Sequence, residues 1–447
     1  MSTDVLKERL RVFVKEICDS LGHQPIVRRD WIMIKRQDDG STSFPKEIRP
    51  DFSNALIRLS MEQLSNPSPA FSRCFDLVRS YPQLKGVLLV DAAGNTVDDD
   101  TGACYMLAAR LVTFMGIYLD RTGEIKFDET VFTTCFEDLT RDIQVSYITV
   151  TDLTPLIHTD IQSDKLQIEA GVLLRQLRSN ELEKWLNGDV YPLVQTHPLT
   201  SSELLSLRCA IEVEYQQPRF AAIGSKPEPY EQRQRLLTAI RLVTDASPQM
   251  AFTKSRTSGL SLFGFDSTSW GISYQRYGSS MKMDRNQEIQ TVALYKRLGS
   301  GPNRDRIALA LSRWNSAGDK LTDEDKLIDY WIALESLYVP ETSQELSFRV
   351  ALRIAAFLGL NGTERQTIYD EMRDSYRLRS EIVHGSMNKN KKKIPSAELI
   401  KVTRSYLRRT LLRIVESDKV FDPTKLESQL LANDAREKGG GGDFVTR

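Results

Sequence analysis

The chain has 447 residues, 40% apolar and 27% charged, with 60 Lys+Arg against 60 Asp+Glu. Such a composition describes a globular chain of roughly two to four domains. A formal charge of zero excludes a protein coated in positive charge for nucleic acid, but not a local basic site, because the distribution of charge decides where an anion sits.

The opening MSTDVLKERLRVFVKEI places Leu6, Leu10, Phe13 and Ile17 at helical spacing, which predicts an amphipathic helix and not the apolar core of a signal peptide. Ile26–Lys35 and Gly86–Val90 read as strands, the second followed by a turn through Asp91, Gly94 and Asn95. Asn54–Leu64 and Ala103–Leu119 read as helices. The longest apolar run, Tyr105–Leu119, is interrupted by Arg110 and is expected to be too short to cross a bilayer. A soluble, cytoplasmic protein with no membrane contact is expected. Further strands are expected around Gln144–Val150 and Cys209–Tyr215. The SKPEPY segment, Ser225–Tyr230, reads as a connecting loop before a helix at Gln232–Leu242 and a strand-like or irregular stretch at Thr253–Tyr277.

Beyond Gly299–Asn303 the period changes to 3.6 residues, predicting helices near Arg304–Ser316, Thr322–Tyr338, Gln344–Leu360, Thr363–His384 and Ser396–Glu416. Gly318, Pro340, Gly362 and Pro395 break them, as residues that end or cannot continue a helix. Consecutive helices on short loops describe a helical bundle. The expected class is therefore α+β: a mixed N-terminal region at 1–224, a connecting segment at 225–302, an all-α bundle at 303–417 and a flexible tail at 418–447 containing Gly439–Gly442. Cys18, Cys74, Cys104, Cys135 and Cys209 show no C-x-x-C spacing and read as reduced thiols.

The informative stretch runs from Tyr376 to Gly385, where Arg379 and His384 are separated by four residues at the end of a predicted helix. Upstream lie LIDYWIALESLY, Leu327–Tyr338, and ELSFRVALRIAAFLG, Glu345–Gly359. Together the three segments resemble the HEPN superfamily, specifically the Apea-like HEPN domains of prokaryotic antiviral proteins. The resemblance covers about a quarter of the chain. It implies a bundle that dimerises, with R-x4-6-H motifs of two protomers meeting at the interface, and a metal-independent ribonuclease that needs no cofactor. It implies RNA as substrate, a phage-derived or host trigger sensed by the N-terminal region, and abortive-infection-type defence. Ribonuclease-competent members often carry Asn, Asp or His directly after the Arg, whereas this chain has Ser380. That departure favours the alternative of an inactive HEPN module serving as a dimerisation or RNA/ligand-binding platform.

The residue chemistry is compatible with the resemblance. Histidine exchanges protons near neutrality and suits acid or base work, while arginine offers a permanent planar fork for phosphate. A symmetric dimer would supply two of each, with a 2′,3′-cyclic phosphate as product. The ordinary alternative for His384 is a helix C-terminal histidine interacting with the last carbonyls. Residues five apart on a helix differ by about 140°, so Arg379 and His384 share no stripe unless the helix ends at His384, which Gly385 favours. Arg379 aligns with Met372, Tyr376 and Val383 and needs an anionic partner, for which Glu335 is the candidate. Tyr376, Ser380 and Glu381 complete the supporting set. Arg349 and Arg353, four apart, read as solvated surface, with a supporting role the second option. Arg377, Lys389, Lys391, Lys392 and Lys393, with Arg379 and against Glu381, leave a local net charge of +5 that suits an RNA backbone without reading its bases.

Other motifs carry less. Asp120–Lys126 has the wrong spacing for a metal-dependent nuclease, and Asp98–Asp100 lacks the spaced ligands of a calcium loop. His23, His158 and His197 show no ligand spacing, and no phosphate-binding P-loop or G-x-S-x-G occurs.

Overall fold

The computed structural model describes residues 3–22, 27–36, 42–91, 94–187, 201–219, 221, 227–258, 267–270, 280–339, 346–385 and 396–431. It divides into two units: unit 1 is Met1–Arg233 with Met250–Ile272, and unit 2 is Gln234–Gln249 with Ser273–Arg447.

Unit 1 begins with α1 (Thr3–Gly22), then β1 (Val27–Ile32), β2 (Lys35–Arg36), β3 (Thr42–Ser43) and β4 (Lys46–Asp51). Five helices follow: α2 (Ser53–Ser65), α3 (Pro69–Ser80), α4 (Pro82–Leu88), α5 (Asp100–Thr122) and α6 (Glu129–Gln144). The predicted face of α1 is buried at Leu6, Leu10, Phe13 and Ile17, and packs with Phe71, Phe114 and Phe132 into one helical core. Gly86–Val90, expected as a strand, falls largely in α4: Leu84 and Leu88, one turn apart, are both buried. Only Val90 keeps an extended bridge, to Thr96, across the predicted turn, where Asp91 Oδ1 accepts the Asn95 N–H at 2.8 Å. The apolar run at Tyr105–Leu119 also needs correction. It belongs to the 23-residue α5, which is long and apolar enough to cross a membrane by length and composition. Its Leu107, Leu111, Phe114, Met115 and Leu119 are buried in the core of unit 1.

The rest of unit 1 is built on strands. β5 (Tyr147–Ile157), β6 (Thr159–Ile161), β7 (Lys165–Glu169) and β8 (Val172–Gln176) precede α7 (Ser179–Asn187), α8 (Ser201–Ser206) and β9 (Cys209–Pro218). The chain then enters α9 (Pro227–Thr244), passes β10 (Gln249–Met250), and returns as β11 (Phe252–Thr257) and β12 (Ser267–Trp270). The main sheet runs β12-β11-β5-β9-β8-β7 with antiparallel neighbours throughout. Gly171 makes the β7–β8 turn at φ 76°, and a Cβ there would lie 2.5 Å from the Glu214 carbonyl oxygen. Arg175, buried on the sheet, bonds Glu181 and Glu212, each at 2.7 Å.

Unit 2 continues through β13 (Met281–Met283), α10 (Arg285–Ser300), α11 (Arg304–Asp319), α12 (Asp323–Tyr338), α13 (Leu346–Leu358), α14 (Gly362–Val383), α15 (Ser396–Glu416) and α16 (Lys425–Leu431). This C-terminal region is helical, with boundaries close to those the sequence predicts, because its caps are local. Thr322 accepts the Asp325 N–H at 3.2 Å and Asn361 the Glu364 N–H at 2.9 Å.

Two boundaries differ from expectation. Segment 225–302 is not a separate connector: its strands β11 and β12 count with unit 1, and α9 from Gln234 onward and α10 with unit 2. Pro227–Tyr230, expected as loop, forms the first turn of α9, where proline's missing N–H is no loss. The segment after Glu416 is not simply a tail either. Phe421 packs edge-on against Tyr338 and Phe357, and Glu427 of α16 pairs with Arg353 at 2.8 Å. Gly439–Gly442 lie outside the described residues.

Candidate active site

α14 buries Ile368, Met372, Ser375 and Leu378. Arg379 sits beside that face, its side chain 23% exposed, with its Nη2 3.9 Å from Glu335 Oε1 on α12. That separation is an ion pair without a hydrogen bond. The guanidinium lies 5.8 Å from the centre of the Tyr376 ring, and Tyr376 meets the Trp331 ring edge-on at 5.1 Å and 77°. Trp331 is fully buried, and its Nε1–H donates to Ser375 Oγ at 3.0 Å. Burial pushes the Glu335 carboxyl up, while the Arg379 charge pulls it back only in part. Among the described residues no hydrogen bond reaches the Arg379 guanidinium, and its Nε is buried without a partner.

The helix stops where the sequence places its end. His384 N–H donates to the Ser380 carbonyl at 3.0 Å and Gly385 N–H to that of Ile382 at 3.2 Å. Gly385 then turns left-handed at φ 65°, a conformation that glycine adopts without strain. His384 is exposed at this end. No hydrogen bond or ion pair among the described residues joins it to Arg379. The structure thus brings Arg379, Glu335 and Tyr376 together, with His384 little more than one turn further along, at the exposed C-terminal end of α14. The apolar face expected along Met372, Tyr376 and Val383 runs out as well: Met372 is buried, whereas Val383 is 49% exposed beside His384.

Ser380 and Glu381 are half-buried on the last turn. Arg377 is exposed and pairs with Asp374 at 3.3 Å on its own helix, which offsets part of the local positive charge. Lys389, Lys391, Lys392 and Lys393 lie outside the described residues. Arg353, expected at the surface, is instead 2% exposed. Its Nη1 donates to the Tyr338 carbonyl, and its Nε to Glu427, so partners distant in sequence draw it inward. No cluster of three or more His, Cys, Asp or Glu suited to a metal ion occurs among the described residues.

Sequence reasoning passed over Trp331, Ser375 and Thr403. Their signal was available: Ser375 stands on the stripe of Met372 and Leu378, and a polar residue in an apolar stripe implies a buried partner. Comparison with family models, with curated proteins and with solved structures finds no match for this chain.

Proposed function

We propose that the C-terminal helices form a HEPN-type bundle and that the protein is a metal-independent endoribonuclease of antiviral defence. Cleavage would take place at a composite site formed by Arg379 and His384 of two copies. The observation that carries this reading is the state of Arg379: a half-buried guanidinium held by charge and ring contact, its donors unspent on the described residues, five positions before an exposed histidine. Its terminal Nη groups, unlike the buried Nε, are available to a phosphate. In this reading one His384 removes the ribose 2′-hydroxyl proton and the oxygen attacks phosphorus. The His384 of the second copy protonates the departing 5′-oxygen, and both Arg379 side chains take up charge on the phosphorane. The products are a 2′,3′-cyclic phosphate and a free 5′-hydroxyl. Unit 1 would sense the phage-derived or host trigger.

The test is to compare purified wild type with His384→Ala and Arg379→Ala on RNA, scoring 3′-end chemistry and growth arrest on expression. Wild type is expected to leave cyclic phosphate ends, and loss of either residue to slow cleavage by about 10²–10⁴-fold. Absence of such ends from wild type, or their persistence in His384→Ala, refutes the nuclease reading. Ser380 and the Glu335 pairing of Arg379 favour a second reading, an inactive platform that dimerises and holds RNA or another ligand. Its outcome in the same experiment is RNA retention without new ends.

A further inference from the structure

We propose that Trp331 is a positioning residue for Arg379, anchored through Ser375 and Thr403 and acting through the Tyr376 ring. The proposal rests on the reading of Arg379 as the phosphate-binding group. A guanidinium recognises phosphate through its plane, so its orientation matters as much as its charge. Glu335, at 3.9 Å, attracts Arg379 without fixing that plane. The other contact of the guanidinium is the Tyr376 ring, its centre 5.8 Å away, and Trp331 meets that ring edge-on.

Trp331 is itself held by a chain of hydroxyls. Thr403 Oγ1 donates to the Leu399 carbonyl at 2.7 Å, so its one proton is committed there. Ser375 must therefore donate to Thr403, which it meets at 2.5 Å, and accept from the Trp331 indole at 3.0 Å. The bonds run one way, from indole N–H to serine to threonine to carbonyl. Trp331, Ser375 and Thr403 are each fully buried. An apolar residue at 375 would leave the buried indole N–H without its acceptor, so the serine hydroxyl holds the indole in place.

The chain makes Trp331→Phe and Ser375→Ala informative and gives Ser375→Thr as the rescue. Another buried hydroxyl pair, Tyr338 Oη with Thr410 Oγ1 at 2.9 Å, joins α12 to α15 and supplies the control Tyr338→Phe. Two readouts are taken on the full chain: the Nε–Hε resonance of Arg379, assigned by its loss in Arg379→Lys, and kcat and KM on RNA. Trp331→Phe and Ser375→Ala are expected to shift or broaden the resonance and to lower kcat by roughly tenfold to a hundredfold with KM little changed. Ser375→Thr restores both. Tyr338→Phe lowers thermal stability but moves neither readout.

An unchanged Arg379 resonance in both variants overturns the proposal, as does an equal change in Tyr338→Phe. Wild type without cleavage would defeat the nuclease reading alone, because the resonance still decides whether Trp331 positions Arg379.

Discussion

Glu335 is a carboxylate that its surroundings hold at a disadvantage. Burial raises its pKa and Arg379 compensates only in part, so the folded chain holds that proton more tightly than the unfolded chain does. The resulting stability is present below the unfolded pKa and is lost as pH rises through the folded one. Glu335→Gln is therefore expected to raise the urea midpoint at about pH 7 and to lose that advantage near about pH 4. Destabilisation at neutral pH would instead mean that Arg379 depends on this charge more than Glu335 suffers from burial. The pairing of the two residues was legible because Glu335 interrupts an apolar helix and Arg379 an apolar face. The burial of Arg353 was not, since Glu427 lies 74 residues away and the other acceptor is a backbone carbonyl. No local period records either.

At the scale of elements, α16 and the segment before it behave as a strap on the bundle. Asn303 donates to the Ile414 and Lys419 carbonyls and accepts the Phe421 N–H at 2.7 Å, while Arg353 ties Glu427 to the end of α12. Arg353→Ala leaves the Tyr338 carbonyl and Glu427 without this partner and is expected to cost about 3 kcal/mol in chemical denaturation. Glu427→Ala should cost a comparable amount, because it leaves the buried Arg353 charge facing an uncharged carbonyl. A much smaller loss in Glu427→Ala would show that the bond to the Tyr338 carbonyl, and not the ion pair, is what Arg353 contributes. Helices α11 to α15 were legible because caps and a 3.6-residue period are local signals. The Gly86–Val90 stretch misled because GVLLV has strand composition, and the buried Leu84–Leu88 pair outweighed it. Strand β7, KLQIE, does alternate polar and apolar residues in step with its burial, a signal passed over, whereas β8, VLLRQ, does not alternate.

For the molecule as a whole, the boundary at residue 303 has a physical consequence. Arg241 of α9, 1% exposed, donates to the Pro248 carbonyl, to the Asn315 carbonyl at 2.8 Å and to Asp319. From α15, Arg404 reaches the Asp245 carbonyl at 2.6 Å and Arg408 the Leu242 carbonyl at 2.6 Å. A fragment of residues 303–417 deletes every one of these partners from before residue 303, together with the strap. Such a fragment is expected to melt without cooperativity by circular dichroism, whereas the full chain unfolds cooperatively. A sharp transition in the fragment would mean that the predicted bundle is self-sufficient.

The order of strands in the unit 1 sheet sets a timetable for translation. Strand β5 pairs with β11, and Thr154 meets Thr253, which is synthesised 99 residues later. At about 5–20 residues per second, the ribosome leaves that side of β5 waiting for roughly 5–20 s. A nascent chain stalled before Phe252 carries a row of unpaired backbone groups along a strand otherwise ready for the core, a template for pairing with another unfinished copy.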